Sequence, residues 1–411
     1  MNKVIDYINK NISPKLNKIT RNVWIGSIQD SIMILLPFIL VGSLVSLINN
    51  FGGLIKGFPD LSPINNFTFG LLGLLLVYLI PNNILQKKKV HKFQTLGGFT
   101  GVGVYLMMSG MTIGSNNTAK VYFINFGASG MFVAMILGIL VSLVMIFFNK
   151  HSFFKNNVVL PEIVVTWFDS LIPIFLCFFI GWVISYLLKF NVFDIVGNVL
   201  APLFTGSNTM IGLILIVFIQ CLVYSFGIST WSVWPVVGPI LFANTAANVA
   251  AGAAASNIAT YEVVYSGWCA IGGMGSCLPL AIMMFRSKSK RINAIGKASI
   301  VPAFCNINEP IVFGLPVALN PIMMIPLWIN GLVVPIITYL ALKLSIVPIP
   351  HITFTMNFLP SFITTYFISN NSFAGPLLAI FIFAVSTVIW YPFFKAYEKN
   401  VVKEEANTNN N

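Results

Sequence analysis

Long apolar runs with very few charges are the feature that most constrains this chain. Of its 411 residues, 57% are hydrophobic and only 8% are charged. A soluble domain needs about 25% charged residues to keep its surface in water, so most of this surface must face lipid. The runs are unbroken rather than alternating, which excludes a β-barrel, and many are long enough for a membrane-spanning helix. The sequence therefore predicts an all-α polytopic membrane protein.

The positions of the basic residues indicate how the chain is oriented. The formal net charge of +12 would suit a nucleic-acid partner, but the lysines and arginines do not form one patch. They lie in clumps between apolar runs, at about 3–21, 87–92, 150–155, 286–297 and 395–403. Such clumps mark cytoplasmic loops. We therefore predict a multi-pass protein of the cell membrane, with both termini cytoplasmic and no nucleic-acid partner.

The apolar runs predict ten membrane spans. They lie at about 28–49, 67–85, 95–114, 126–149, 167–188, 210–228, 231–246, 263–285, 320–343 and 373–394. The seventh is expected to be short or broken, with a discontinuity near 227–230, because the clump at 286–297 must return to the cytoplasm. Residues 1–27 carry apolar side chains at helical spacing among lysines, which favours an amphipathic helix on the membrane surface. A merely solvated tail is the alternative.

The same pattern divides the chain into halves. Spans one to five form a first half over 28–189, and 190–209 reads as an interfacial linker because polar residues and Pro202 interrupt it. Residues 210–398 form a second half with spans six to ten, and 399–411 form a basic cytoplasmic tail.

Two segments of the second half cannot be straight helices. Residues 302–326 contain five prolines, and 348–360 contains three more; proline removes a backbone donor and clashes with the preceding helical turn. Broken backbone at membrane depth is tolerated only when it is buried in protein or lines a wet cavity. We therefore predict two re-entrant hairpins, at about 298–318 and 348–369.

Glu309 is the main candidate for a functional residue. Between 195 and 397 the only acids are Glu262, expected at an outer loop end, and Glu309, which lies in the first predicted hairpin. An ionisable residue in an apolar interior marks a substrate or ion pathway by default. A structural role, in which the acid caps the hairpin tip, is the alternative for Glu309.

Polar and aromatic residues near the predicted breaks suggest a site for a sugar. Asn306 and Asn308 could bind hydroxyl groups through their amides or act as turn formers. Broken segments in transporters commonly enclose the solute near the middle of the bilayer. Flat rings suit the apolar face of a sugar, although aromatics are common at membrane interfaces. The further polar and aromatic candidates near the breaks are Trp231, Trp234, Phe354, His351 and Asn357.

Other chemistries find no support in the sequence. The chain has no phosphate-binding glycine loop and no cluster with metal-ligand spacing, so we expect no cofactor and no metal. The five cysteines stand singly in apolar stretches and read as small core residues.

One motif resembles a known family. The segment Asn306-Ile-Asn-Glu309-Pro-Ile-Val-Phe-Gly-Leu-Pro316, followed by Asn320-Pro321, resembles the signature of enzyme IIC, the membrane permease component of the bacterial phosphoenolpyruvate-dependent sugar phosphotransferase system. The most similar branch takes lactose, cellobiose and diacetylchitobiose. Gln29 to Ser43 near the start also resembles the family, as do Ser287 to Pro302 and Tyr391 to Lys399, so the resemblance spans nearly the whole chain.

The resemblance implies a fold and a mechanism. The fold is a homodimer in which the first half is a scaffold and the second half, with its two hairpins, moves the sugar across the bacterial cell membrane as an elevator. Glu309 would bind sugar hydroxyls near the site of phosphorylation and serve as the catalytic acid. The phosphoryl group would come from a phosphocysteine on a separate cytoplasmic IIB subunit, which is in turn supplied by IIA.

Two departures from the family pattern leave an alternative open. Where the family has Gly-Ile-His-Gly, this chain has Gly227-Ile-Ser229-Thr230, and the second hairpin reads Thr353-Phe-Thr-Met-Asn357. Ser229, Thr230 and Trp231 are therefore candidate sugar ligands of altered chemistry, because serine cannot take up a proton near neutral pH as histidine can. A IIC-like facilitator that does not phosphorylate, a proton-coupled transporter and a sugar sensor are the alternatives to a phosphorylating permease.

Overall fold

The computed structural model describes residues 22–52, 58–114, 118–151, 161–227, 230, 233–315 and 317–408. The described chain is mostly helical, as predicted. The predicted surface helix lies almost wholly outside the described residues, as do Ser229 and Trp231.

Within the described residues, the first part of the chain contains seven α-helices, several short helical turns and one small hairpin. The helices are α1 (Val23–Gly52), α2 (Ser62–Asn66), α3 (Leu72–Lys87), α4 (Gln94–Met108), α5 (Met131–Lys150), α6 (Glu162–Trp182) and α7 (Val192–Ser207). Between α4 and α5, strand β1 (Thr112–Ile113) pairs antiparallel with β2 (Ala119–Lys120). The hairpin was not predicted. The predicted linker over 190–209 is largely helical, because α7 covers most of it.

The described portion of the second part contains eight α-helices and several short helical turns. The helices are α8 (Met210–Ser225), α9 (Trp234–Ala251), α10 (Leu278–Phe285), α11 (Lys290–Phe304), α12 (Glu309–Gly314), α13 (Pro321–Lys343), α14 (Ser361–Ile368) and α15 (Ala374–Thr408). A π-helical turn spans Glu262–Ser266, and a 3-10 turn spans Trp268–Ala270.

Six helical stretches of the described chain are long and apolar enough to cross a membrane. They are Ser62–Lys87, Ala128–Lys150, Ile163–Leu187, Trp234–Ala254, Pro321–Lys343 and Ala374–Ala406. Helices α7 and α8 meet at a bend of 87° and could together form another span. The predicted seventh span at 231–246, expected to be short or broken, overlaps the continuous 18-residue helix α9, which begins at Trp234 and ends at Ala251.

The prediction of a full helical span over 263–285 is wrong. Only the last eight residues of that stretch form an α-helix, α10, and the earlier part folds as short turns and a loop. Gly272, Gly273 and Gly275 have φ angles of +75°, +91° and +86°, a region that glycine adopts freely and that no helix uses. Three such glycines in four residues break the helix despite the apolar composition.

Contacts within the chain define two compact units. Of the described residues, the first unit contains 22–45 and 58–202, and the second contains 46–52 and 203–408. In the first unit α3 packs against α4 and α5, and α6 packs against α4. In the second unit α8 packs against α13, α10 against α11, and α15 against α10, α13 and α14.

The cysteines are structural, as predicted. All five are free; Cys177, Cys221, Cys269 and Cys277 are buried and Cys305 is half-buried.

Candidate functional site

A tight turn at 305–308 joins α11 to α12 and carries two of the predicted site residues. The chain therefore breaks within the first predicted hairpin. Asn306 has a φ of +60°, a left-handed conformation that asparagine tolerates better than most residues. The proline-rich composition prevents a continuous helix here, and Asn306 supplies the reversal.

The Asn306 side chain links three parts of the second unit. Its Oδ1 accepts hydrogen bonds from the Gly272 N–H at 2.8 Å and the Ser361 hydroxyl at 2.9 Å. Its Nδ2 donates to the carbonyl oxygens of Asn357 at 2.8 Å and Leu359 at 3.0 Å. All four hydrogen-bonding positions of the amide are thus used inside the protein. The amide joins the two predicted hairpins to the glycine loop.

Asn308 is 4% exposed and is also held by internal bonds. Its Nδ2 donates to the Met274 carbonyl at 2.8 Å and its Oδ1 accepts from the Tyr224 hydroxyl at 3.2 Å. The roles predicted for Asn306 and Asn308 toward a sugar stay predictions. In this conformation both amides serve the turn.

The glycine loop at 272–275 was missed by the sequence reasoning. A Cβ added to Gly273 would lie 2.4 Å from Cγ of Asn308, so only glycine fits both the φ angle and the space. The signal was present, since Ile271-Gly-Gly-Met-Gly275 is an unusual glycine cluster inside an apolar run. It was hidden by the span assignment over 263–285.

Glu309 begins α12, directly after these bonded amides. Its residue surface is exposed, and among the described residues its carboxylate makes no hydrogen bond or ion pair. Pro310 follows it at the first turn of the helix, where the missing N–H costs nothing. Tyr224, whose hydroxyl is bonded to Asn308, also packs edge-on against Phe313 of α12, with ring centroids 5.9 Å apart. The site thus offers one accessible carboxylate next to a turn whose two asparagine side chains are bonded within the protein.

The second predicted hairpin lies beside this turn. Residues 348–360 form no helix, and α14 follows from Ser361. Phe354 is fully buried, its N–H donates to Glu262 Oε1 at 3.0 Å, and its carbonyl accepts from the Ser266 hydroxyl at 2.8 Å. Asn357 is half-buried and its Oδ1 accepts from the Tyr261 hydroxyl at 3.1 Å. The structure therefore brings Asn306, Phe354 and Asn357 into one network.

Glu262 is not at an outer loop end, contrary to the expectation. It is 0% exposed and lies inside the second unit. Next to it, Trp234, Phe242, Tyr261 and Tyr265 form an aromatic cluster with ring centroids 5.1 to 5.8 Å apart. Trp234 is also 0% exposed, so in this conformation its ring serves the core.

His351 and Thr230 lie apart from the asparagine network. His351 lines a cavity of about 300 Å³ together with residues of 342–349 and 253–255, and none of the Asn306 partners lines it. Thr230 is half-buried and its carbonyl accepts from the Val233 N–H at 3.2 Å. Ser229 and Trp231, the other candidates in this stretch, lie outside the described residues.

The end of α15 positions the helix that leads to the site. Glu398 accepts from the Ser287 hydroxyl at 2.6 Å and the Lys288 N–H at 3.0 Å. About two helical turns further along α15, Glu405 accepts from the Ser289 hydroxyl at 2.7 Å and the Arg291 N–H at 2.9 Å. The two carboxylates hold the start of α11, which ends at the Asn306 turn.

The fold and the site together define a class of protein. The protein is a polytopic helical membrane protein whose broken segments meet at the Asn306 turn, next to the accessible Glu309 carboxylate, an arrangement typical of transporters. Among the described residues, no group of three His, Cys, Asp or Glu side chains could hold a metal ion.

Comparison with known proteins identifies the family. Residues 29–331 match the model of the phosphotransferase system EIIC family. The chain belongs to this family, and the resemblance read from its sequence is confirmed. It is therefore a membrane permease component of a phosphotransferase system.

Individual relatives match along nearly the whole chain. The lichenan permease IIC component of Bacillus subtilis is 27% identical over 98% of this chain and 96% of its own length. The lactose-specific EIICB component of Staphylococcus epidermidis is 29% identical over 98% of this chain and 72% of its own length. The crystal structure of ChbC, the IIC component of the N,N'-diacetylchitobiose-specific phosphotransferase system, is 24% identical, with a TM-score of 0.87 covering 97% of this chain and 99% of that one.

Proposed function

We propose that this protein is the sugar-specific permease subunit of a phosphotransferase system, and that it takes a disaccharide of the cellobiose, lactose or diacetylchitobiose type. The observation that carries the proposal is Glu309, an accessible carboxylate at the start of α12, directly after a turn whose two asparagine side chains are hydrogen-bonded within the protein. Relatives named for cellobiose, lactose and lichenan support the substrate class.

The chemistry follows from the position of that carboxylate. Glu309 accepts a hydrogen bond from a sugar hydroxyl and takes its proton as the hydroxyl oxygen attacks the phosphorus of a phosphocysteine. The new O–P bond replaces the S–P bond, and the cysteine leaves as a thiolate. The phosphocysteine belongs to a separate cytoplasmic IIB subunit, which IIA recharges. The lactose-specific EIICB relatives carry a C and a B component in one chain, which supports a direct handover.

The transport step is part of the same proposal. The second unit carries the sugar site on its broken segments, and the first unit serves as the scaffold of a homodimer against which it moves. The molar mass of the detergent-purified protein, measured by light scattering after subtraction of detergent, tests the dimer.

A vesicle assay tests the function. Membrane vesicles that contain this protein, with its IIB and IIA and phosphoenolpyruvate, are given radiolabelled cellobiose, lactose or diacetylchitobiose. We expect sugar phosphate inside the vesicles for at least one of them. Glu309→Gln should lower the rate by about a hundredfold or more, as removal of a general base does. Asp60→Asn, which changes an exposed acid of the first unit in the same way, should leave the rate unchanged.

Two outcomes would contradict the proposal. One is uptake of unmodified sugar by counterflow without IIB, which would make the protein a facilitator. The other is full phosphorylation by the Glu309→Gln variant, which would show that the carboxylate is not the proton acceptor.

A further inference from the structure

Glu262 is a fully buried acid for which the phosphorylation chemistry has no use. It is 0% exposed at the start of the π-helical turn Glu262–Ser266. The ion pairs of the described chain are Lys87–Asp30, Lys92–Asp169 and Lys395–Glu398, so none of them neutralises it. A carboxylate buried without a cation is costly, and such a group commonly becomes neutral instead.

The hydrogen bonds around Glu262 fit a neutral acid. Its Oε2 lies 2.6 Å from the Thr245 hydroxyl oxygen, which is also 3.0 Å from the Leu241 carbonyl and accepts from the Tyr261 N–H at 3.3 Å. The hydroxyl has one proton and two acceptors within reach. If Glu262 carries its own proton, the acid donates to Thr245 and Thr245 donates to Leu241. The protons of the acid and of the Thr245 hydroxyl then each have an acceptor, and no net charge is buried.

The other oxygen of Glu262 holds the second predicted hairpin. Oε1 accepts from the Phe354 N–H at 3.0 Å. Three residues later, Asn357 is bound by the Tyr261 hydroxyl and by the Asn306 amide. The Glu262 carboxyl therefore anchors the segment 353–357, which is bonded to the turn that precedes Glu309.

We propose that Glu262 is a positioning residue for the sugar site: as a neutral carboxylic acid it holds the segment 353–357 in place, and on losing its proton it releases that segment. The release follows because an ionised Glu262 needs water, which can reach it only after the segment has moved away. The link to sugar rests on the function proposed above, whereas the proton-linked packing does not. Since the neutral form is the packed one, alkaline pH favours opening.

The effect of pH on Glu262 has to be distinguished from its effect on other titratable groups nearby. Helix α9 carries none in its sequence. The loop of Glu262 itself contributes Tyr261, Tyr265 and Cys269, α8 contributes Cys221, and the second hairpin contributes His351 and Tyr366. Of these, only histidine and cysteine ordinarily titrate between pH 6 and 9, and Cys221 and Cys269 are buried away from water. His351→Gln is therefore the control that removes the competing proton site.

Hydrogen exchange of the full chain tests the proposal without a sugar. The purified protein in lipid nanodiscs is exchanged at pH 6 to 9, at deuteration times matched for intrinsic exchange, and the peptide covering 353–357 is followed. Glu262→Gln keeps the hydrogen bonds of the neutral acid, because its amide donates to Thr245 and its oxygen accepts from Phe354. We expect the wild type and the variant to be equally protected at pH 6. At pH values where Glu262 loses its proton, the opening constant of 353–357 in the wild type should exceed that of the variant, by a ratio that rises up to about tenfold per pH unit.

Identical pH profiles for wild type and Glu262→Gln would overturn the proposal, as would loss of the wild-type pH dependence in His351→Gln. Two substitutions of Thr245 keep the test decisive if Glu262→Gln does not fold. Thr245→Ser keeps the hydroxyl and should behave as wild type, whereas Thr245→Val removes the acceptor of the acid proton and should expose 353–357 at all pH values. Wild-type protection in Thr245→Val would also count against the proposal.

A kinetic measurement connects the proton to the sugar. With cellobiose as the probe, KM for phosphorylation should rise with pH in the wild type relative to Glu262→Gln, while kcat stays equal in the two. If cellobiose, lactose and diacetylchitobiose all fail to be phosphorylated, the proposed function fails and the exchange data still decide the role of Glu262. If phosphorylation is strong but the exchange profiles coincide, only the role of Glu262 fails.

Discussion

The two compact units satisfy the hydrogen bonds of their backbone N–H and C=O groups in different ways. In the first unit most residues lie in long helices, whose backbone groups bond within the helix, and side-chain bonds between helices are simple pairs such as Asn83 to Ser31 at 2.8 Å. In the second unit the helices are broken, and the freed backbone groups are bonded by buried side chains such as Asn306, Asn248 and Ser266. A broken segment in an apolar protein requires a dedicated polar partner for each free group.

The difference shows where function can be located. A continuous helix leaves no unsatisfied polar group for a solute, whereas a broken segment presents turns and side chains at defined positions. The second unit accordingly carries Glu309 on a turn, and its supporting amides are already bonded. The following variants should separate the two kinds of construction, from the largest expected loss to the smallest.

Removal of the Asn306 amide should cost the most. Asn306→Ala leaves the Gly272 N–H and the Asn357 and Leu359 carbonyls without their partner, so we expect a loss of about 3 kcal/mol in unfolding free energy. Thermal unfolding of the purified protein in one detergent measures it. The matched change in the first unit is Asn83→Ala, which breaks a single side-chain pair and should cost about 1 kcal/mol. Equal losses would refute the contrast between the units.

The glycine loop should be the next most sensitive position. Gly273→Ala adds a Cβ at a φ of +91° and 2.4 Å from the Asn308 side chain, so we expect a loss of about 2 kcal/mol. In α7, a Cβ at exposed Gly197 meets no atom within 4 Å. Gly197→Ala should be neutral or slightly stabilising, because alanine favours the helix. The same thermal unfolding assay compares the two, and a tolerated Gly273→Ala would show that the loop can shift.

The first unit contains a largely buried ion pair, and breaking it should lower the unfolding free energy by a smaller amount. Lys92 Nζ lies 2.9 Å from Asp169 Oδ2, with the Asp169 side chain 1% exposed and the Lys92 side chain 23% exposed. Lys92→Met leaves a buried carboxylate without its cation, and we expect a loss of about 1–2 kcal/mol, below that of a fully buried pair. Lys87→Met breaks the more exposed pair with Asp30 and should change stability by less than about 1 kcal/mol. Unfolding curves that rank these two variants in reverse would argue against a structural role for Asp169.

Sequence reasoning predicted some features of the site and missed others for identifiable reasons. The scarcity of acids singled out Glu309, and the prolines located the breaks at 302–316 and 348–360. Hydropathy failed at 263–285, because a window average does not register that three glycines in four residues favour left-handed backbone. The sequence reasoning also misplaced Glu262, since a loop end is the usual position for an acid in such a chain. Nothing in the sequence indicates that Thr245 and Phe354 are the hydrogen-bond partners of Glu262.

The sequence by itself determined the class of protein, the broken character of its second half and the family, because each of these depends on the properties of single residues or of a contiguous motif. The transfer of apolar residues into lipid selects helices, and closely spaced prolines interrupt them, whereas single prolines such as Pro81 and Pro239 lie inside continuous helices. Only the tertiary structure decided that Asn306 joins both hairpins, that Gly273 makes room for Asn308 and that Glu262 meets Thr245 and Phe354. Those contacts join residues 17 to 92 positions apart, and the pairing of buried polar groups depends on which segments the folded chain brings together.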